Sequence, residues 1–578
     1  MNSLTHLFSK LSFFLFISNF CFAQLVSSNL PIIIIETNDD IIVNDPKIKV
    51  GFKVLYHTDG SQNYLTDTDY HYNGYAGIEL HGTSSQAAPK KSYSFELRNI
   101  LDESVKFGLL GFPEESDWVL IANYDDKTHI KNAYIYDLWK KTNEYSPRTK
   151  FVEVVINGEY MGLYVFTEKI KRDTNRINIK KLEEKDTTIA KISGGYIIEA
   201  SRETDVLNVP NIWVSNYLSS PASNYKMSFE CKYPKKPNTQ QANYIKNYIN
   251  DFETSLKSEN FKDPILGFRK YVDENSFVEN FIFQEYAISY DIFSRSQYLY
   301  KERDSKLKAS PIWDVNPGLF DNYATSWRFS CNNCDPRFFW VERMMQDCAF
   351  KSNVIAKYKD FRLSFLSIEK SYRFIDSLAN IIQDAAARDS KKWFPTDNVS
   401  FSNEIQKLKN FVSIRLNWMD LNIHDIVDDG EDLVSLGDNA KTNQMITLIT
   451  GCSNTNPIKW RFENSDGTSG TFVGTNIINV LISQSVTYNA ICQVDGCTRY
   501  SNTQHITFNN DCLDEIDFTS HYIYPPVQQF DTKYIINSSA KLNPSSKINY
   551  ATNKSIFLNP GFQVSSGSVF TAKIGGCQ

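Results

Sequence analysis

Between residues 273 and 322 the sequence sets two carboxylates against one helix and hairpin, and this constrains the fold more than any other stretch. Val272, Asp273 and Phe277 stand where a hydrophobic staple, an N-cap and its N4 partner begin a helix. Phe277, Phe281, Ile282 and Ile288 extend it as a buried stripe at helical spacing. Residues 297–301 (QYLYK) then read as a strand, 302–305 as a polar turn and 307–313 as the returning strand. Asp291 precedes the first strand and Asp314 follows the second, so an antiparallel hairpin brings both acids to one end. Acids placed this way can divide the labour of phosphoryl transfer: one holds Mg²⁺ on the phosphates, the other orients or deprotonates an acceptor hydroxyl. Capping a strand end or pairing with a nearby lysine would use the same two residues.

The chain of 578 residues is long enough for two to four domains. Its net charge of −6 and the lack of a long basic block argue against a nucleic-acid partner. Aromatic residues at 14% weigh against disorder. Residues 1–23 read as a signal peptide, with Lys10 before an apolar run and Cys21-Phe22-Ala23 as the cleavage site. Bulky Phe20 disfavours a lipid anchor at Cys21. No later run is apolar enough to span a membrane, so the mature chain is expected to be secreted or held at the cell surface. Of the 10 cysteines only Cys21 is lost with that peptide, and the remainder suit disulfide-stapled modules in an oxidising compartment. Cys331 and Cys334 are read either as half of a zinc site or, with Cys348 or Cys231, as partners in disulfides.

In chain order, 30–36, 47–55 and 77–81 read as strands, followed by a small-residue turn at 82–85 (GTSS). Residues 89–97 (PKKSYSFEL) read as a strand whose alternation puts Lys90 and Lys91 on opposite faces. A turn of this kind beside a lysine can cradle phosphates, though a solvated strand end accounts for the same residues. A strand at 117–123 leads to a helix at 128–141 with Ile130, Ala133, Tyr134 and Leu138 inward. Residues 151–156 and 160–166 form a hairpin about Asn157-Gly158, 194–199 is a further strand, and 241–260 is an amphipathic helix. Helices run to about residue 423, and 425–441 is an acidic linker. Residues 442–510 resemble an immunoglobulin-like sandwich with Trp460 in its core, and 511–578 form a second β module.

Seven motifs in order carry a family resemblance over about residues 30–423: HGTSSQAAPKKSYSFEL, DWVLIANYDDKTHIKNAYIYDLW, VINGEYMGLYVFTEKIKRDTNRINIKKL, GGYIIEA, GFRKYVDENSFVENFIFQEY, SQYLYK with PIWDVN, and RFFWVERMMQD. Together they resemble the spore-coat-protein-H (CotH) kinase family, in the form common among secreted proteins of Bacteroidetes-type bacteria. The last module resembles a three-strand coathanger-stack domain, in which Cys512 and Cys577 would bracket the unit.

The resemblance implies an α+β chain in which an atypical protein-kinase-like domain at 24–424 is followed by two small all-β modules. It implies transfer of phosphate from ATP, with Mg²⁺ or Mn²⁺, to Ser or Thr hydroxyls of a protein substrate, while the β modules meet cell-surface partners. In it Asp291 is the catalytic acid, Asp314 the metal-holding acid, Asn316 and Ser296 further metal ligands, and Lys90 or Lys91 the lysine on the phosphates, with Lys91 preferred. Glu168 falls at the nucleotide cleft. The chain departs from the family pattern at Ser296, where an Asn is usual, and at Leu319-Phe320-Asp321, where an aromatic-Gly-Asn run is usual. A kinase fold without turnover, serving as a surface adhesin or structural component, is the alternative expectation.

Overall fold

The structure is a computed structural model. It describes residues 25–575 except 203–210, 220–224, 290, 292, 320–323, 331–337, 397–399, 424–432, 437–438, 442–443, 451–457, 483, 495–496, 501–503, 510–514, 519–521, 524–527, 533–534 and 543–546. Helices take up 29% and strands 33%, a mixture compatible with an α+β chain. The chain divides into two units, one of Met1–Tyr124, Lys150–Thr167 and Ile381–Phe401, the other of Asp125–Thr149, Glu168–Asn380 and Ser402–Gln578.

The first unit is a closed barrel of strands β1 (Ile32–Glu36), β2 (Ile48–Leu55), β3 (Tyr72–Leu80), β4 (Tyr93–Arg98), β5 (Asp117–Ile121), β6 (Thr149–Ile156) and β7 (Glu159–Glu168). Neighbours run β1-β2-β3-β4-β5-β7-β6, and β1 closes the ring by pairing parallel with β6. Alternation drives the closure: Val50, Phe52 and Val54 of β2 point inward and meet Ile33, Phe95, Trp118 and Phe166. Asn157 (φ +50°) and Gly158 (φ +79°) both take the left-handed conformation that a tight hairpin between β6 and β7 requires.

The strand expected over 89–97 starts only at Tyr93, so Lys90 and Lys91 precede it and do not alternate across a sheet. The cause is charge. Lys90 is buried, with its ammonium 2.5 Å from Asp389 and donating to the Leu163 carbonyl at 2.5 Å. A cation withdrawn from water must be met by a carboxylate, and that need overrides a strand pattern. Gly162 (φ +109°) makes the approach of Asp389 possible, because a Cβ there would lie 2.2 Å from Asp389 Oδ1.

The second unit holds an antiparallel sheet of β8 (Tyr196–Arg202), β9 (Ile212–Leu218), β10 (Lys226–Tyr233), β11 (Gln297–Lys301) and β12 (Leu307–Ala309), in the order β9-β10-β8-β11-β12. Its helices include α1 (Lys131–Lys140), α2 (Thr239–Lys257), α3 (Glu274–Ala287), α4 (Phe339–Met344), α5 (Cys348–Ser364), α6 (Ile368–Trp393, shared with the first unit from Ile381) and α7 (Phe401–Asn422). Helix α1 begins three residues later than its periodicity predicts. The Asp126 carboxylate accepts N–H bonds from Thr128 and Lys131, and His129 (φ +59°) is left-handed, so 126–130 is a capped turn. Asn238 and Gln241 form a reciprocal capping box that starts α2. Arg415 of α7 and Glu285 of α3 form a fully buried pair at 3.1 Å, and Arg415 also binds the Ala324 and Ser326 carbonyls. Glu285 accepts the N–H groups of Arg328 and Phe329, so this pair organises the chain that follows the Asp314 segment.

Within 425–441, where the composition predicts a linker, Leu433–Leu436 and Asn439–Lys441 are strands. The first pairs antiparallel with Gln444–Thr450, the second parallel with Gln504–Asn509. Leu433, Val434 and Leu436 give the first strand a composition that suits a ladder in spite of the acids around it. Trp460 lies at 0% exposure in a core with Ile446, Leu448, Phe462 and Tyr488. Beyond it, three turns of chain stack strand on strand. Glu515–Phe518, Ile535–Ser538 and Ser555–Leu558 form one parallel sheet, and two further parallel sheets take the remaining strands of the same turns. Residues 1–24, Phe320, Asp321, Cys331, Cys334, Cys512 and Cys577 lie outside the described residues. Cys231 is a buried free thiol, so it takes no part in a bridge, whereas Cys348 is disulfide-bonded. No described helix is long and apolar enough to cross a membrane.

Candidate active site

Asp273 caps α3 as its sequence predicts, accepting the Ser276 N–H at 3.0 Å. The helix stops at Ile288, a β-branched residue held at φ +46°. The chain then turns through Asp291, whose carbonyl accepts the N–H groups of Ser294 and Arg295 at 2.9 and 3.0 Å, and enters β11. The returning strand is shorter than its residues suggest. β12 ends at Ala309, because Pro311 cannot donate to a ladder. Residues 310–313 lead irregularly to Asp314, which sits at φ +58°. Phe293 (φ +54°), Ser296 (φ +52°) and Leu319 (φ +58°) are left-handed as well. Strained non-glycine residues gathered in one place mark a geometry that the surrounding structure imposes.

The two acids occupy different environments. Asp291 is half-buried and accepts a hydrogen bond from Arg295 at 3.1 Å. Among the described residues, Asp314 receives only the Ser296 hydroxyl, at 3.5 Å, as a side-chain hydrogen bond. Its carboxyl is pushed up to about 6, first by burial, then by the negative charges of Asp291 and Glu199, although the residue as a whole keeps some exposed surface. Glu199, from β8, is itself held by Lys232 at 3.0 Å and by the Tyr298 hydroxyl at 3.3 Å. Nothing in the spacing of GGYIIEA separates this glutamate from an ordinary strand-end acid.

Helix α1 grips the Asp314 segment. Tyr136 accepts the Asp314 N–H at 3.2 Å and stacks on Trp313. Asn132 accepts the N–H groups of Val315 and Asn316 at 3.1 and 3.0 Å and donates to Asn316 Oδ1 at 2.9 Å. Lys131 donates to the Gly318 carbonyl at 2.8 Å. A Cβ on Gly318 would come 2.4 Å from the Ala287 carbonyl, so this glycine permits the segment to close against the end of α3. Sequence reasoning passed over Asn132 and Tyr136. Their spacing of four residues, which puts two polar groups on one helical face, was the available signal.

The structure therefore gathers Asp291, Ser296, Asp314 and Asn316, while Glu168 has partners of its own. Glu168, buried, accepts from Arg148, from the Arg148 N–H at 3.1 Å and from Tyr145 at 3.2 Å, with Arg176 at 3.6 Å. Lys90 and Lys91 belong to the barrel unit. Lys90 is committed to Asp389, whereas half-buried Lys91 donates to the Gln86 carbonyl at 2.7 Å, beside the 3₁₀ turn Ser84–Ala87.

A kinase uses a nucleotide and a divalent cation, and the donors at Asp314 suit such an ion. Its carboxyl is crowded by two other acids, a state that a cation relieves, and neutral oxygens of Ser296 and Asn316 lie on the same segments. Among the described residues no group of three or more His, Cys, Asp or Glu side chains is arranged to hold a metal. No curated protein matches the chain in sequence. The family profile described as CotH kinase protein matches residues 78–419, which span β8, the hairpin, both acids and the helix that holds Asp314. The chain belongs to the CotH kinase family.

Proposed function

We propose that the protein is a secreted or cell-surface kinase that transfers phosphate from ATP to Ser or Thr hydroxyls of protein substrates. The observation that carries this reading is the asymmetry of the two acids: Asp291 is paired with a cation, whereas Asp314 is pressed by like charges. Two carboxylates whose surroundings differ in this way suit two roles. Asp314, with Asn316 and Ser296, would hold Mg²⁺ or Mn²⁺, which when bound neutralises charge on the phosphates. Asp291, kept in place by Arg295, would accept the proton of the acceptor hydroxyl, and ionisation of that hydroxyl prepares its attack on phosphorus. Lys91 is preferred as the phosphate-contacting lysine, because drawing Lys90 toward a ligand would take a buried ammonium from buried Asp389. The two C-terminal β modules would meet surface partners.

Incubating the full chain with labelled ATP and Mg²⁺ or Mn²⁺, alone and with casein-like acceptor proteins, tests the reading. Label should appear on Ser or Thr and vanish in Asp314→Asn. A second reading, an inactive adhesin, draws on Ser296, whose hydroxyl is a poorer metal donor than an Asn amide oxygen. It replaces the first if the wild type binds no nucleotide with either metal.

A further inference from the structure

We infer that Asn132, seconded by Tyr136, is a positioning residue that sets the Asp314–Asn316 segment for cation binding; the inference rests on the kinase reading above. The hydrogen bonds fix the amide without ambiguity. Two backbone N–H groups, of Val315 and Asn316, converge on one side-chain atom at 3.1 and 3.0 Å, and only an oxygen accepts both. The other end of the Asn132 amide is then its NH₂, so the Asn316 atom 2.9 Å from it must be Oδ1. Asn316 therefore directs its carbonyl oxygen toward α1 with one lone pair engaged, and only the second remains for a cation.

The same contacts account for the left-handed Asp314. Three successive N–H groups, of residues 314, 315 and 316, are taken by Tyr136, Asn132 and Asn132 in turn. Neutral oxygens on a helix satisfy these donors, so none of them needs to turn to the Asp314 carboxylate and dilute its charge. Asn132 is 1% exposed and Tyr136 is 1% exposed, so water does not replace either partner. A polar residue that orients a ligand without touching the metal typically changes metal affinity by about 10- to 100-fold.

The test is calorimetric titration of full-length protein with Mn²⁺ and with Mn²⁺–ADP, beside a metal-free ADP titration and a melting curve. Asn132→Ala should weaken Mn²⁺ binding by about 10- to 100-fold while metal-free ADP affinity stays within about twofold. Tyr136→Phe keeps the ring on Trp313 and removes only the acceptor for the Asp314 N–H, so it should fold and show a smaller loss in the same direction. A merely structural role would lower the melting temperature of both variants and leave the Mn²⁺ affinity of the folded protein unchanged, which would overturn the inference. Should Asn132→Ala not fold, wild-type Mn²⁺ affinity in Tyr136→Phe overturns it equally. A wild type that binds neither Mn²⁺ nor Mn²⁺–ADP refutes the kinase reading itself, and the inference with it.

Discussion

Neutralising Asp314 should make the metal-free protein more stable while destroying its capacity to hold a cation. In the folded chain its carboxyl lies at about 6 against an ordinary 3.8, because burial and then the charges of Asp291 and Glu199 oppose ionisation. A rise of roughly 2 units, at about 1.36 kcal/mol each, is about 3 kcal/mol held against the fold at neutral pH. The sign follows from proton binding. An acid whose folded-state pKa exceeds its unfolded value binds its proton more tightly when folded. The penalty is therefore complete above about pH 6 and fades as the pH falls toward 4. Asp314→Asn keeps the shape and removes the charge. Its exposed edge reduces the gain, so about 2 kcal/mol, or roughly 5 °C in melting temperature, is expected at pH 7.5 in EDTA, and under about 1 kcal/mol near pH 4. Differential scanning calorimetry at the two pH values measures both. Adding Mn²⁺ with nucleotide should then raise the wild-type transition and leave the variant's unmoved. A variant that melts below the wild type at pH 7.5 in EDTA would refute the reasoning, because it would mean that the ionised carboxylate is satisfied where it stands.

Asp291→Asn should leave Mn²⁺–nucleotide affinity near wild type and lower turnover by roughly 10²- to 10⁴-fold, read by calorimetry beside a labelled-ATP assay. Lys90→Met takes the ammonium from buried Asp389, which keeps the Leu163 N–H, and should cost about 3 to 5 kcal/mol in urea unfolding, whereas Lys91→Met should leave the unfolding midpoint nearly unchanged and weaken nucleotide binding. Arg415→Met leaves Glu285 without its cation and should destabilise the second unit by a similar 3 to 5 kcal/mol, visible as early loss of tryptophan fluorescence from Trp327 and Trp418, which flank the guanidinium.

Much of this arrangement was legible because its signals are local. The Asp273 cap, the stripe of α3 and the Asn157-Gly158 turn each depend on residues within a few positions, and each forms where the sequence puts it. Long-range charge was not legible. Asp389 lies 299 positions from Lys90, so nothing near the lysines showed that one would be buried and the other would not. Strand ends failed for two reasons: in 89–97 the distant Asp389 partner of Lys90 decides where pairing stops, whereas in 307–313 Pro311 was a local signal that the strand composition outweighed. That Asp291 and Asp314 come near one another was legible from hairpin geometry. Their support was not, because Asn132 and Tyr136 act through backbone groups 184 and 178 positions away. The strands within 425–441 were hidden by acidic composition, which reports solvation better than pairing.

The three stacked turns near the C-terminal end behave as a short linear array. Among the described residues the strands of each turn pair only with those of the turns beside it, so its resistance to opening depends on how many neighbours it has. The strands of the middle turn, Ile535–Ser538 and Lys547–Thr552, are flanked on both sides, and Ile536, Ile548 and Tyr550 are sealed at 0% exposure. Among the described residues, the turn from Ser555 to Ile574 has a neighbour on one side alone and leaves Phe557, Val569 and Ile574 half or more exposed. Amide exchange should accordingly run as a zipper, with protection lost first in Val569–Ile574 and last in the middle turn, and pulling on that end should release chain in steps of about twenty residues instead of one cooperative rupture.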